Sequence, residues 1–242
     1  MSYIKFEKLK GVLHGFSLRH GGVSSGYFAS LNLGFNLGDD FENVSENWQR
    51  FCHETGVNFE SLCIAEQEHT DKVLVVREGA GLSQPFSGID GFITDVPGIC
   101  LAVKFADCQG VLMFDPVRKV IAAVHSGWRG NAQNIIGEVV RRMVREFGCE
   151  AADILVAISP SLGPCCAEFT NPHKELPGFM EQYISGRNVD LWQCSFDQLV
   201  CEGVLPLNIE IARRCTVCEN SEFFSYRGGG KLTGHMGAVI QL

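Results

Sequence analysis

The sequence predicts an α+β fold, with mixed sheets in layers and a single domain over residues 1–242. Three observations predict it. Short β-branched runs joined by turn residues recur along the chain, only two segments carry a helical apolar period, and no repeat, low-complexity tract or Pro/Ser linker divides them. Hairpin-linked strands with few helices favour a layered α+β arrangement over a doubly wound parallel sheet.

From the N-terminus, residues 18–40 form a long stretch rich in Gly, Ser and Asn, including Gly21-Gly22-Val23-Ser24-Ser25-Gly26. A long irregular segment inside a compact domain is functional or disordered, and the regularly placed apolar residues here favour an ordered loop. A helix is expected over 44–55, where Val44, Trp48, Phe51 and Cys52 share one face and Gly56 supplies the stop. Strands are expected at 72–76, 99–103, 110–114 and 120–124, the last two joined as a hairpin by Asp115-Pro116-Val117-Arg118. Helical spacing of Ile135, Ile136, Val139, Val140, Met143 and Phe147 predicts one amphipathic helix over 131–147, followed by a strand at 154–158.

Composition narrows the function. Hydrophobic residues at 45% and charged residues at 20% are ordinary for a globular chain long enough to bury a large core. The formal charge of −8 argues against nucleic acid as partner, because phosphate backbones require clustered Lys and Arg. The segment Met1-Ser2-Tyr3-Ile4-Lys5-Phe6-Glu7 scatters charge among its apolar residues, and no later run approaches membrane-spanning length, so neither a signal peptide nor a membrane is expected. Eleven cysteines, odd in number and without disulfide-scaffold spacing, point to a reducing, cytoplasmic setting.

Three segments end in residues of one chemical type: Glu66-Gln67-Glu68-His69, Ala106-Asp107-Cys108, and His125-Ser126-Gly127-Trp128-Arg129-Gly130. If the hairpin forms, Cys108 and His125 lie at neighbouring strand ends. Two imidazoles and a thiolate suit zinc, with a fourth position left open as in catalytic sites. Dispersed His and Cys residues are more often structural, and sequence separation does not show proximity. Arg19 and His20 in the Gly-rich loop, Asn32 beyond it, Asp107 beside Cys108, and Arg129 at a helix start complete a candidate pocket; an Arg at a helix N-terminus favours an anion such as phosphate, or is a solvated helix-end residue. Other motifs are weaker. Cys215-Thr216-Val217-Cys218 has no second pair at zinc-ribbon distance and reads as a buried thiol pair, and Gly163-Pro164-Cys165-Cys166 reads as a tight turn. Gly228-Gly229-Gly230-Lys231 fails the phosphate-loop pattern, because Ser225 and Leu232 stand where Gly and a hydroxyl are needed.

At these residues the chain resembles the laccase-domain proteins, formerly labelled multicopper polyphenol oxidases and associated with purine nucleoside phosphorylase and adenosine deaminase activities. The resemblance runs from Ser17-Leu18-Arg19-His20-Gly21-Gly22 through Ser30-Leu31-Asn32-Leu33-Gly34, Gln67-Glu68-His69, Asp90-Gly91, Ala106-Asp107-Cys108, His125 to Gly130, Leu162 to Cys166, and Cys215 to Cys218, ending at Phe223-Phe224-Ser225-Tyr226-Arg227. It implies a zinc site at His69, Cys108 and His125, a four-layer α/β/β/α sandwich, and a nucleoside pocket to which Arg19, Asn32 and Asp107 contribute. The implied reaction is phosphorolysis of adenosine, inosine and methylthioadenosine, with phosphate as co-substrate, alongside adenosine deamination. Purine nucleosides and phosphate are then the partners, and the chain acts as a monomer or homodimer.

The chain departs from the family pattern at Trp48 (usually Arg), Ala167 (Tyr), Gly228 (Arg) and His235 (Arg), which bears on substrate preference and phosphate affinity rather than on the metal. If position 235 binds phosphate, an ordinary His there loses its charge near pH ~6.5, and phosphate affinity weakens from about pH 6 to about pH 8. Two other functions compete. Copper-dependent phenol oxidation, from the older label, needs many His ligands, and the chain has seven in all. A non-catalytic zinc-binding module would need a fourth protein ligand at the metal.

Overall fold

The computed structural model describes residues 3–77 and 86–242; Met1 and Ser2 of the charged N-terminus lie outside the described residues. Its main elements, in chain order, are β1 (Leu13–Ser17), α1 (Phe41–Thr55), β2 (Val73–Val75), β3 (Gly91–Thr94), β4 (Cys100–Phe105), β5 (Gln109–Asp115) and β6 (Val120–Ser126). They continue with α2 (Trp128–Gln133), α3 (Ile135–Phe147), β7 (Leu155–Ile158), α4 (Leu191–Cys201), β8 (Ile209–Ile211) and β9 (Met236–Gln241). One sheet runs Tyr3–Ile4, β1, β9, β4, Leu62–Cys63, and the other runs β8, β7, β5, β6, β3, β2. Both mix parallel and antiparallel pairs, as the α+β reading expects.

The strands are apolar on both faces because both faces are covered. Phe16, Leu101, Val103 and Ile240 of the first sheet share one core with Leu112, Phe114, Ile121 and Ala123 of the second. On the far side of the first sheet, Ala102 and Val239 pack under Val44, Trp48 and Phe51 of α1. On the far side of the second, Val111, Met113, Ala122 and Val124 pack under Ile135, Ile136, Val139 and Met143 of α3 and Leu199 of α4.

The β5–β6 hairpin forms where expected. Asp115 Oδ1 accepts the N–H groups of Val117 and Arg118 at 2.8 and 2.9 Å, closing the turn and setting His125 opposite Gly110 and Ser126 opposite Gln109. α1 ends at Gly56, whose φ of 82° is the left-handed cap that glycine adopts without strain. The helix expected over 131–147 is instead broken. Asn134 takes φ 54°, ψ 46°, its side chain accepts the Gly137 N–H at 3.1 Å, and α3 begins there with a new cap. The apolar period carries no mark of this break, because every residue of the stripe from Ile135 onward lies in α3.

The Gly-rich stretch is ordered, and α1 orders it. Asn47, buried on the helix, donates to Ser24 Oγ and Asn32 O at 2.9 Å each and accepts the Val23 N–H at 2.8 Å. Trp48, where the family usually has Arg, is fully buried and donates Nε1–H to Leu33 O at 3.0 Å. Among the described residues no helix is long and apolar enough to cross a membrane.

Candidate metal centre

The hairpin register carries two of the three predicted ligands to one place. Cys108 immediately precedes β5, His125 is the penultimate residue of β6, and the pairing of Gln109 with Ser126 sets Cys108 against Gly127. His69 arrives from the segment before β2 with φ 59°, an uncommon conformation for a non-glycine residue. The donor atoms of His69, Cys108 and His125 all lie within 4.8 Å of one another. Cys108 Sγ is 3.7 Å from His69 Nε2, and the two imidazole centroids are 4.9 Å apart. Gly127 permits this approach: a Cβ there would stand 2.6 Å from Cys108 Sγ and 3.2 Å from His69 Cδ2.

Asp90, on the turn before β3, organises the centre. It is fully buried, and its Oδ1 accepts His125 Nδ1–H at 2.8 Å and the backbone N–H of His69 at 3.1 Å. Its Oδ2 accepts from Glu68 N, Thr70 N and Thr70 Oγ1. Burial pushes this carboxyl up, but the His125 and Thr70 bonds outweigh burial and hold it at about 2. With Nδ1 committed to Asp90, His125 Nε2 is left for a metal, the carboxylate–histidine arrangement that fixes a ligand's tautomer and ring orientation. Burial would likewise raise Cys108 and lower His125; the charge and hydrogen bonds that Cys108 exchanges with His125, together with His69 for the thiol and Asp90 for the imidazole, reverse both shifts, so the sulfur is favoured as thiolate and a metal bound at His125 Nε2 takes the place of a proton there. A deprotonated sulfur and two oriented imidazoles fit zinc, and this cluster holds three donors among the described residues.

The other predicted residues fall into different settings. Asp107, with φ 82°, stands next to Cys108; its Oδ1 accepts Thr216 Oγ1–H and Ser225 Oγ–H at 2.6 and 2.7 Å, and its Oδ2 accepts the Arg227 N–H at 2.5 Å. Arg129 is exposed at the start of α2, its guanidinium 4.3 Å from the Trp128 ring centroid. Arg19 holds the loop together, donating to Ala29 O and Asn220 O and covering the Phe224 ring. Asn32 is fully buried, donates to Asp39 and accepts the N–H groups of Gly34 and His235. Thus the geometry joins His69, Cys108 and His125, places Asp107 and Arg129 on adjoining segments, and uses the side chains of Arg19 and Asn32 within the loop.

Sequence reasoning assigned no role to Asp90, Gly127 or Lys104. Lys104 is the one cation in β4, its Nζ donates to Ala65 O at 2.9 Å, and burial lowers it to about 8 against the pull of Glu66. A lysine inside an apolar strand was the available signal. His235 differs from its expectation. Burial, then Lys104, His125 and His69, lower it to about 3, so it is neutral across the physiological range and supplies no charge to lose between pH 6 and 8.

A family model described as multi-copper polyphenol oxidoreductase laccase matches residues 13–242. The chain is 35% identical to the purine nucleoside phosphorylase YlmD of Geobacillus stearothermophilus, over 95% of this chain and 90% of that protein. It is 32% identical to a purine nucleoside phosphorylase of Bacteroides thetaiotaomicron, over 100% of this chain and 96% of that one. The crystal structure of the Bacillus licheniformis hypothetical protein YfiH superposes with a TM-score of 0.92 at 30% identity, covering 100% of this chain and 96% of that chain.

Proposed function

The chain belongs to the multi-copper polyphenol oxidoreductase laccase family, and from that premise we propose that it is a cytoplasmic, zinc-dependent purine nucleoside phosphorylase, one domain over residues 1–242 acting as a monomer or homodimer. The observation that carries the reading is the convergence of His69, Cys108 and His125 with Asp90 behind them, in a chain related end to end to proteins named purine nucleoside phosphorylase. The substrates are adenosine, inosine and methylthioadenosine with phosphate, and the same site deaminates adenosine.

In the proposed reaction an oxygen of hydrogen phosphate bonds to ribose C1′ as the glycosidic bond breaks; the departing base takes up the proton that the phosphate loses, and ribose 1-phosphate is the other product. His69, Cys108 and His125 hold the zinc, which when bound supplies Lewis-acid polarisation. Asp90 holds His125 in one tautomer. Asp107, fixed by three donors from 216, 225 and 227, is an acceptor kept in one place, suited to orienting a substrate hydroxyl or amino group and receiving its proton. Arg129 and Lys104 are the cations proposed to attract phosphate. Arg19 and Asn32 contribute by shaping the loop that borders the pocket.

The experiment is to incubate pure protein with adenosine, with and without phosphate, before and after chelation, and to identify products. Adenine is expected only with phosphate and metal. Adenine at an equal rate without phosphate would sink phosphorolysis, and inosine as sole product would replace it with deamination. The family description names copper-dependent polyphenol oxidation, and a thiol with two imidazoles is a set copper also accepts. This cluster, however, unites only two of the chain's seven histidines, fewer than a multicopper centre requires.

A further inference from the structure

The turn after β7 and the turn after β8 meet at a second set of sulfurs. Ser161 bridges to Cys215, and the Thr216 N–H donates to Ser161 O at 3.1 Å, so the segments 161–166 and 214–218 lie side by side. Cys165, Cys166, Cys215 and Cys218 thereby place all four Sγ atoms within 4.8 Å of one another. Cys218 Sγ is 3.5 Å from Cys165 Sγ and 3.6 Å from Cys166 Sγ. Four thiolates around one zinc at about 2.3 Å stand roughly 3.8 Å apart at tetrahedral angles, so the cluster already has the dimensions of such a cage.

The surrounding backbone is built for a charged sulfur. The Gly163 N–H points at Cys215 Sγ from 3.4 Å. Burial raises the Cys215 thiol, yet the N–H groups of Cys218, Gly163 and Val217 outweigh it and lower the group overall. Cys165 and Cys166 shift the other way: desolvation of their sulfurs inside the cluster and the Cys215 and Cys218 sulfurs raise both, since adjacent thiolates repel without a cation between them. Cys165 and Cys218 are exposed, which corrects the expectation that Cys215 and Cys218 form a buried thiol pair.

We propose that Cys165, Cys166, Cys215 and Cys218 form a closed tetrathiolate site for one structural zinc ion, separate from the His69–Cys108–His125 centre. Four protein ligands leave no open position, so this ion staples two loops and does no chemistry. The staple has a consequence for the other centre: Thr216, between two of the ligands, donates to Asp107 Oδ1, and the Leu162 N–H donates to Asp107 O at 2.8 Å. Zinc here would therefore fix the residue next to Cys108.

The test is zinc content per chain by mass spectrometry of the full-length protein, purified under reducing conditions with zinc supplied. Wild type is expected to hold about two ions, Cys108→Ser about one, and the Cys165→Ser/Cys218→Ser double variant about one. Cobalt-loaded Cys108→Ser should show intense thiolate-to-cobalt absorption that the same protein with the added double substitution lacks. Exposed Cys201→Ser serves as control, and circular dichroism melts establish that each variant is folded. A folded double variant with wild-type zinc content would overturn the proposal, as would iron in place of zinc or a disulfide from Cys218 to Cys165 or Cys166. Zinc lost from the double variant but unchanged in Cys108→Ser would support this site while removing the metal from the phosphorylase reading.

Discussion

Gly127→Ala is a one-methyl test of the His69–Cys108–His125 centre. The backbone at 127 has φ −84° and ψ −171°, which alanine adopts freely, so the substitution acts through its Cβ alone. That carbon would lie 2.6 Å from Cys108 Sγ, whereas unstrained non-bonded atoms stand about 3.5–4.0 Å apart. The sulfur must retreat by roughly 1 Å, and His69, 3.2 Å from the same carbon, must yield by a smaller amount. A misplacement of about 1 Å costs on the order of 10²-fold in rate, or about 2.7 kcal/mol of transition-state stabilisation. Zinc affinity, read by competition with a chromophoric chelator, should fall by at least about tenfold, and nucleoside cleavage should fall with it. Gly178→Ala, whose Cβ meets nothing within 4 Å, is the matched control. A folded Gly127→Ala protein with wild-type zinc affinity and turnover would refute the ligand assignment.

Asp90→Asn should weaken zinc binding about 10–100-fold in the same competition assay, because an amide cannot both accept from His125 and present only acceptors to its neighbours; unchanged affinity would deny Asp90 its orienting role. Asn134→Ala should lower stability to urea by about 2 kcal/mol through lost capping and a left-handed alanine, and Asn134→Gly by about half of that; equal losses would place the whole effect in the cap. Lys104→Met should stabilise the fold by about 1–3 kcal/mol at pH 7 while slowing phosphorolysis. The sign follows from Lys104 sitting near 8 when folded and near 10.5 when unfolded. Between those values the unfolded chain binds more protons, so wild type gains stability as pH rises and the variant's advantage shrinks. An advantage independent of pH from 7 to 10 would contradict this.

The parts of the fold that were legible in the sequence are those whose signal is local. Asp115-Pro116 announces a turn by its own chemistry, and Val44, Trp48, Phe51 and Cys52 announce a buried helix face by spacing. β1 and β9 announce nothing, because Leu-His-Gly-Phe-Ser and Met-Gly-Ala-Val-Ile-Gln lie between two packed layers and show no polar–apolar alternation. The residues at the centre divide in the same way. His69, Cys108 and His125 could be nominated because their chemistry is rare, but an aspartate before a strand is commonplace, and only the fold brings Asp90 under both histidines. The four sulfurs were named as two unrelated motifs because the turns bearing them meet only through tertiary pairing.

Asp90 is bonded to the His69 backbone and the His125 ring through a single oxygen, and those residues come from opposite sides of it in the chain. The pairing of strands 91–94, 109–115 and 120–126 thus brings the parts of the centre together through bonds between protein groups alone. A protein lacking the ion at His69, Cys108 and His125 should accordingly still fold and take up or release that ion on a folded scaffold, unlike small zinc domains whose chains order only around their metal. Occupancy of this one centre would then govern how much of the protein is active without deciding whether the chain is folded.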